Sequence, residues 1–191
     1  MKFIFKIVGL SLIFLLAILL IAGLFYPRKY FLEQSIFIQA PKEIVWKNIS
    51  TFANYQKWNP WSELDPHMRY RVEEVDGIVG SIYHWEGNHR VGSGNIGYLT
   101  LKPMERAELG LALIKPLALE SKMTFLLTET PKGIQVTWAL KCDLSYPYNA
   151  LLRIVYRPKK LVEEDLKGGL QRLKLLSEKE AGNYRNLNVH R

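Results

Sequence analysis

Cysteine is almost missing from this chain. Cys142 is the only one, which rules out an internal disulfide and a metal site built from cysteines. Histidine is scarce too, with four residues in all. Only His84 and His89 sit close together, in "HWEGNH" with Glu86 between them. This is not the helical H-E-x-x-H pattern, because the acid is misplaced and a Gly-Asn turn interrupts the run. No Ser-His-Asp spacing, phosphate-cradling glycine loop or nucleotide fingerprint is visible, so no cofactor and no metal are expected. Long runs of like charge are also absent. The net charge of +8 is spread along the chain, and the aromatics fall on apolar faces instead of interleaving with the basic residues. Nucleic-acid binding is therefore not expected.

What the chain does have is one long uncharged stretch. From Ile7 to Tyr26 no residue carries a charge, and roughly 20 apolar residues suffice to cross a bilayer as a helix. Lys2 and Lys6 flank one end, and Pro27, Arg28 and Lys29 the other. The run exceeds the roughly 7–15 residues of a signal-peptide core, and no clear cleavage site follows. The reading is an uncleaved single-pass anchor over 1–29, with residues 7–26 in the bilayer. Basic residues on both flanks leave open which side of the membrane the rest of the chain faces. Only Pro27 to Leu32 separate the anchor from the first strand-like run, "EQSIFIQAP". A segment of that length spans about 20 Å at most, which would hold the following domain near the membrane surface.

That domain is expected over 30–180, with a frayed tail at 181–191. Pro41 opens a helical pattern through Ile44, Val45, Ile49 and Phe52 that ends near Asn54. Asn48-Ile49-Ser50 fits a glycosylation sequon, but its place inside a helix makes the match coincidental. Beyond Pro66 the period becomes two. "MRYRVEE", "SIYHWEG", "VGSGNIGYLTL", "RAELGLALI", "LESKMTFLLTE" and "GIQVTWAL" read as strands of an antiparallel meander, one face dry and the other wet. Turns are expected at Asp76-Gly77, Gly87-Asn88, Lys102-Pro103, Lys115-Pro116 and Lys132-Gly133. From Pro158 a long amphipathic helix follows, with Leu161, Val162, Leu166, Leu170, Leu173 and Leu176 on one side. Gly168-Gly169 inside it marks a close backbone approach. The fold class is α+β: a bent antiparallel sheet of about seven strands wrapped around a long C-terminal helix, preceded by one transmembrane helix.

The stretches "SIFIQAPKEIVWKNIS", "FANYQKWNPW", "GSIYHWEGNHRVGSG", "GIQVTWAL" and "EEDLKGGLQRLK" resemble the SRPBCC superfamily of START-like, helix-grip domains. The match lies in its polyketide cyclase/dehydrase and lipid-transport branch and covers roughly Glu33 to Ser177. The resemblance implies an internal apolar cavity whose mouth is bordered by the loop after the first helices. Trp58 and Trp61 would stand near that mouth, or else form a corner that only stabilises the fold. It carries over no catalytic set.

The inward strand faces place Tyr70, Tyr83, Trp85, Leu111, Phe125 and Trp138 around the space beneath the last helix. Such a lining offers apolar area and few polar anchors, which suits a lipid, isoprenoid or quinone-like ligand. Two other functions fit the same fold. One is a cyclase or hydrolase using Glu86 or Asp65 as acid/base. The other is a membrane-held interaction module with a filled core. Strand alternation sends His84 and Glu86 outward, opposite Tyr83 and Trp85. A small basic cluster, Arg153, Arg157, Lys159 and Lys160 beside Tyr156, is placed to meet lipid headgroups or water.

Overall fold

The computed structural model describes residues 2–116, 118–144, 146–151 and 159–189. In chain order the elements are α1 (Lys2–Phe25), β1 (Lys29–Ile38), α2 (Lys42–Ser50), α3 (Phe52–Trp58), β2 (Arg69–Glu73), β3 (Ile82–Glu86) and β4 (Ser93–Lys102). Then come β5 (Arg106–Lys115), β6 (Leu119–Thr130), β7 (Gly133–Asp143), α4 (Tyr148–Leu151) and α5 (Lys159–Val189). They divide into two compact units. One is Met1–Tyr30 with Asp143–Val162; the other is Phe31–Cys142 with Glu163–Arg191.

In the first unit, Phe3–Phe25 forms a helix long and apolar enough to cross a membrane. Its side chains are exposed along the length, Phe14 at 69%. A helix leaves its last carbonyls without intrahelical partners. Here the fully buried Asn149 supplies them: its amide donates to the carbonyls of Gly23 at 2.7 Å and Tyr26 at 2.8 Å. Gly23 permits this approach, since a Cβ there would lie 3.0 Å from the Tyr146 ring and 3.2 Å from Asn149 Oδ1. The backbone N–H of Leu144 reaches the Arg28 carbonyl at 2.7 Å, and the Arg28 guanidinium stands 6.0 Å over the Tyr146 ring. Of the basic cluster expected near here, Arg153, Tyr156 and Arg157 lie outside the described residues.

The second unit is the helix grip. Its seven strands lie in the order β1-β7-β6-β5-β4-β3-β2, a meander closed at one side by the return of the last strand to the first. Every expected strand is present. Alternation is cleanest in β7, where Ile134, Val136 and Trp138 are buried and Gln135 and Thr137 are half-exposed. The bend falls in β4, whose pairing with β5 slips at Ser93/Gly94 and at Tyr98/Thr100. Gly94 is required there: a Cβ would stand 2.4 Å from the Ala112 carbonyl oxygen and 2.5 Å from the Trp85 ring.

Three local expectations change. β1 begins at Lys29 and not near Glu33, because Tyr30 and Leu32 are buried and carry the period-two pattern backward. The single early helix is two helices, broken at Thr51, where the backbone is extended (φ −131°, ψ 136°). The break is held from a distance: Asp76 accepts the first N–H groups of α3, from Phe52 at 2.7 Å and Ala53 at 2.9 Å. The second helix then continues past Asn54 to Trp58. At the far end, α5 continues beyond Glu180 to Val189.

The long helix lies across the concave side of the sheet through Leu166, Leu170, Leu173 and Ser177, each at most 1% exposed. Gly169 is the point of closest approach, where a Cβ would meet Trp138 Cζ3 at 2.8 Å and Pro60 Cδ at 3.0 Å. Asn48, in the sequon, is fully buried, and its amide donates to Ser177 Oγ at 3.2 Å.

Candidate functional site: the concave face of the grip

Cross-strand partners share a face, so the register lays the concave side out in rows. The first row is Ala107, Phe125 and Trp138, all at most 1% exposed. Next come Tyr98, Leu109, Met123 and Leu140, buried except for the half-buried Leu140. In the third row Tyr83 and Ile96 are buried, while Leu111 and Ser121 are half-buried. The last row runs Tyr70, Trp85, Gly94, Leu113, Leu119. Here Tyr70 is 51% exposed, and Trp85, Leu113 and Leu119 keep part of their surface uncovered. The grip is thus packed solid under Gly169 and opens row by row toward Leu113 and Leu119. What remains is a strip of largely apolar surface with the hydroxyls of Ser121 and Tyr70 on it.

The packed end is aromatic. Trp58 stands edge-on to Trp138 (5.7 Å), Phe125 (5.8 Å) and Tyr55 (5.1 Å). Trp61 stands edge-on to Trp138 at 6.0 Å from the outside and is half-buried. Phe52, Tyr55, Tyr83 and Tyr98 continue the cluster, with Phe52 stacked on Tyr98 at 4.4 Å. Burial, with Tyr83 close by, pushes the Tyr55 phenol well above its ordinary range. Burial first, then Asp76 and Tyr55, does the same for Tyr98. Burial also raises Tyr83, reinforced by Tyr70. All stay neutral in ordinary buffers and act as hydrogen-bonding groups.

Trp58 occupies the second of its two expected places, the fold-stabilising corner, and Tyr70 has less cover than expected. Trp58 is the last residue of α3, so its ring belongs to that helix's buried face; it is fully enclosed and its indole N–H donates to the Asn48 carbonyl at 2.7 Å. Tyr70 has the expected facing, stacked on Tyr83 at 5.4 Å, but it sits on the edge strand with little to cover it. Trp61 alone of the pair occupies a partly open position. The stretch that carries it is pinned by Arg172, whose Nε donates to the Trp58 carbonyl at 3.1 Å and whose guanidinium pairs with Glu63. Arg172 reads in the sequence as part of the helix's polar face, with no sign of this contact. Tyr55 was also not singled out, although its spacing from Phe52 and Trp58 places all three on one side of a helix.

The acids considered for catalysis are engaged elsewhere. Glu86 is exposed and pairs with Arg69 at 3.0 Å. Asp65 is buried, and its two oxygens accept the backbone N–H groups of His67 at 3.0 Å and Asn88 at 2.6 Å. His84 lies on the outer side, 2.9 Å from Glu73. Hydrogen bonds from Arg71 first and His84 second hold the Glu73 carboxyl below its usual range. Among the described residues no group of three or more His, Cys, Asp and Glu side chains converges to hold a metal.

A bent seven-stranded sheet folded over one long helix, with an apolar strip left open between them, defines a helix-grip domain. Residues 32–178 match the family model described as polyketide cyclase / dehydrase and lipid transport, so the chain belongs to that SRPBCC-type family. None of the curated proteins matches the chain. Among solved structures, protein MLL2253 from Mesorhizobium loti is similar over 78% of this chain and 98% of that one, at 16% identity and TM-score 0.58. The di-domain aromatase/cyclase StfQ from the steffimycin biosynthetic pathway is similar over 81% of this chain and 52% of its own, at 15% identity and TM-score 0.57. The Aha1 protein of Colwellia psychrerythraea, solved as a dimer, is similar over 78% and 96%, at 16% identity and TM-score 0.53. At these identities the shared property is the fold.

Proposed function

We propose that this protein binds an apolar small molecule, a lipid, isoprenoid or quinone-like compound, along the open strip of its concave face while α1 holds it at a membrane. The observation that carries the reading is the gradient of burial across the sheet. Rows under Gly169 are filled, whereas Leu111, Leu113, Leu119 and Trp85 keep apolar surface uncovered. Uncovered apolar area is costly in water and is regained on binding at roughly 25 cal/mol per Å². A few hundred Å² then supports micromolar affinity after the costs of association. The family description, polyketide cyclase / dehydrase and lipid transport, supports a ligand of this class. The uncharged span of α1 supports the membrane setting, where such molecules are concentrated. The cyclase or hydrolase reading is weaker, because Glu86 and Asp65 are both committed away from the strip.

The test is a tryptophan-fluorescence titration of the full-length chain in phosphatidylcholine nanodiscs, with empty discs as control. Saturable quenching by apolar ligands is expected, and Leu111→Trp, which fills the strip, should weaken it about tenfold without lowering the melting temperature. Absence of saturable binding across fatty acids, isoprenoids and quinones would leave the interaction module as the better account.

A further inference from the structure

The turn between β5 and β6 carries apolar surface that the core of the grip does not use. Ile114 is 56% exposed, and Lys115, Pro116 and Ala118 are exposed with it. Leu113 and Leu119, at the base of the turn, are half-buried. Lys115 is the only charged residue from Leu113 to Leu119.

Exposed apolar side chains alone do not select a partner. Val75, Ile78 and Val79, on the loop between β2 and β3, are as uncovered, Val79 at 55%. Position separates the two places. Two contacts set β1 against β7: the Ser35 and Thr137 hydroxyls meet at 2.8 Å, and the Leu144 N–H donates to the Arg28 carbonyl at 2.7 Å. Both agree with one antiparallel register, in which Tyr30 stands opposite Cys142. Cys142 is opposite Ser121, and Ser121 is opposite Leu111. Further toward the start of β1, the paired Leu113 and Leu119 come level with Arg28. Ile114, Lys115, Pro116 and Ala118 pass beyond that level. Only β7 lies between β1 and β6, a lateral distance of about 10 Å. Only Pro27 and Arg28 separate β1 from Tyr26, at most about 10 Å of chain. The turn therefore projects past the beginning of β1, on the side from which the chain arrives out of α1. The β2–β3 loop lies at the other end of its strands, on the sheet edge farthest from β1.

Resting on the membrane setting proposed above, we infer that the β5–β6 turn is a second membrane contact, seated in the headgroup region of the bilayer that α1 crosses. Ile114, Pro116 and Ala118 enter the boundary between headgroups and acyl chains, and Lys115 extends its ammonium back to the phosphates. Arg28 and Lys29, before and at the start of β1, and Arg90, in the loop after β3, are exposed at the same end and suit the same phosphate layer. Glu120 and Asp143, the nearest acids on β6 and β7, stand behind the tip in the row of Lys29. One apolar turn binds a bilayer weakly by itself, but the tether through α1 makes the contact intramolecular. Leu113 and Leu119, in the open row of the concave face, lie directly behind the turn, so that end of the strip faces lipid instead of water.

The experiment uses the full-length chain with Cys142→Ala, in phosphatidylcholine nanodiscs containing a lipid with a nitroxide on its upper acyl chain. A fluorescent label is attached at one new cysteine per variant: Ile21→Cys in α1, Ala118→Cys in the turn, or Val79→Cys in the other exposed loop. Nitroxide quenching is expected at positions 21 and 118 and not at 79. Adding Ile114→Asp should abolish the quenching at 118 while leaving that at 21 unchanged. The melting temperature should also stay the same, because Ile114 is exposed in the fold. Quenching at 21 without quenching at 118 overturns the inference while the membrane setting stands. Quenching at 79 equal to that at 118, or quenching at 118 that survives Ile114→Asp, overturns it too. No quenching at 21 overturns the membrane setting and the inference with it.

Discussion

Gly168 and Gly169 are adjacent on α5, yet replacing each by alanine should move stability in opposite directions. In a helix interior, alanine is favoured over glycine by about 1 kcal/mol. At Gly168 nothing opposes that gain, since an added methyl meets only the guanidinium of Arg172, at an ordinary contact distance of 3.9 Å. At Gly169 the same methyl stands 2.8 Å from the Trp138 ring and 3.0 Å from Pro60. Neither neighbour can yield freely, because Trp138 is fully buried and Pro60 is held between α3 and the Arg172 contact. Overpacking a filled site costs about 1–3 kcal/mol, which outweighs the helix gain except at its lower end. With Tm moving about 2–4 °C per kcal/mol in a domain this size, Gly168→Ala should melt a few degrees higher and Gly169→Ala a few degrees lower. Thermal melts followed by near-ultraviolet circular dichroism report on the tryptophan cluster directly. Equal stabilisation by both substitutions would refute the claim that α5 touches the sheet at Gly169.

Two further outcomes follow from other parts of the chain. Asp76→Ala should destabilise by about 1–2 kcal/mol, the usual effect of losing a helix cap, because two N–H groups of α3 lose their acceptor; Asp76→Asn should retain part of the stability, and urea unfolding measures both. Carbonate washing of membranes should leave the full-length protein in the pellet with α1 attached, and a mature N-terminus beginning after Tyr26 would show that the segment is removed instead.

Strand positions were legible because they rest on local alternation. Val136 and Met123 face the core between polar neighbours, and Trp138 and Phe125 keep the same alternation. Gly169 was legible as a close approach because glycine in a helix carries a penalty that needs a reason. The break at Thr51 was not, since the acceptor that enforces it, Asp76, lies 24 positions from Phe52. Misjudging that break misplaced Trp58. A helix ending near Asn54 leaves Trp58 in a loop at a cavity mouth, whereas a helix reaching Trp58 turns its ring into the core. Tyr70 shows a different limit: alternation gives the face a side chain points to, but the cover over that face depends on where its strand lies in the sheet.

Asn149 also bears on the order of biosynthesis. It reaches back 126 positions to the Gly23 carbonyl. At roughly 5–20 residues per second, translation takes about 6–25 s to cover that distance. Throughout that interval the final carbonyls of α1 lack this partner, and every strand of the sheet is made before the residue that closes them. A chain that stops short of Asn149 carries the entire sheet and still has an unfinished helix, which distinguishes incomplete products from complete ones.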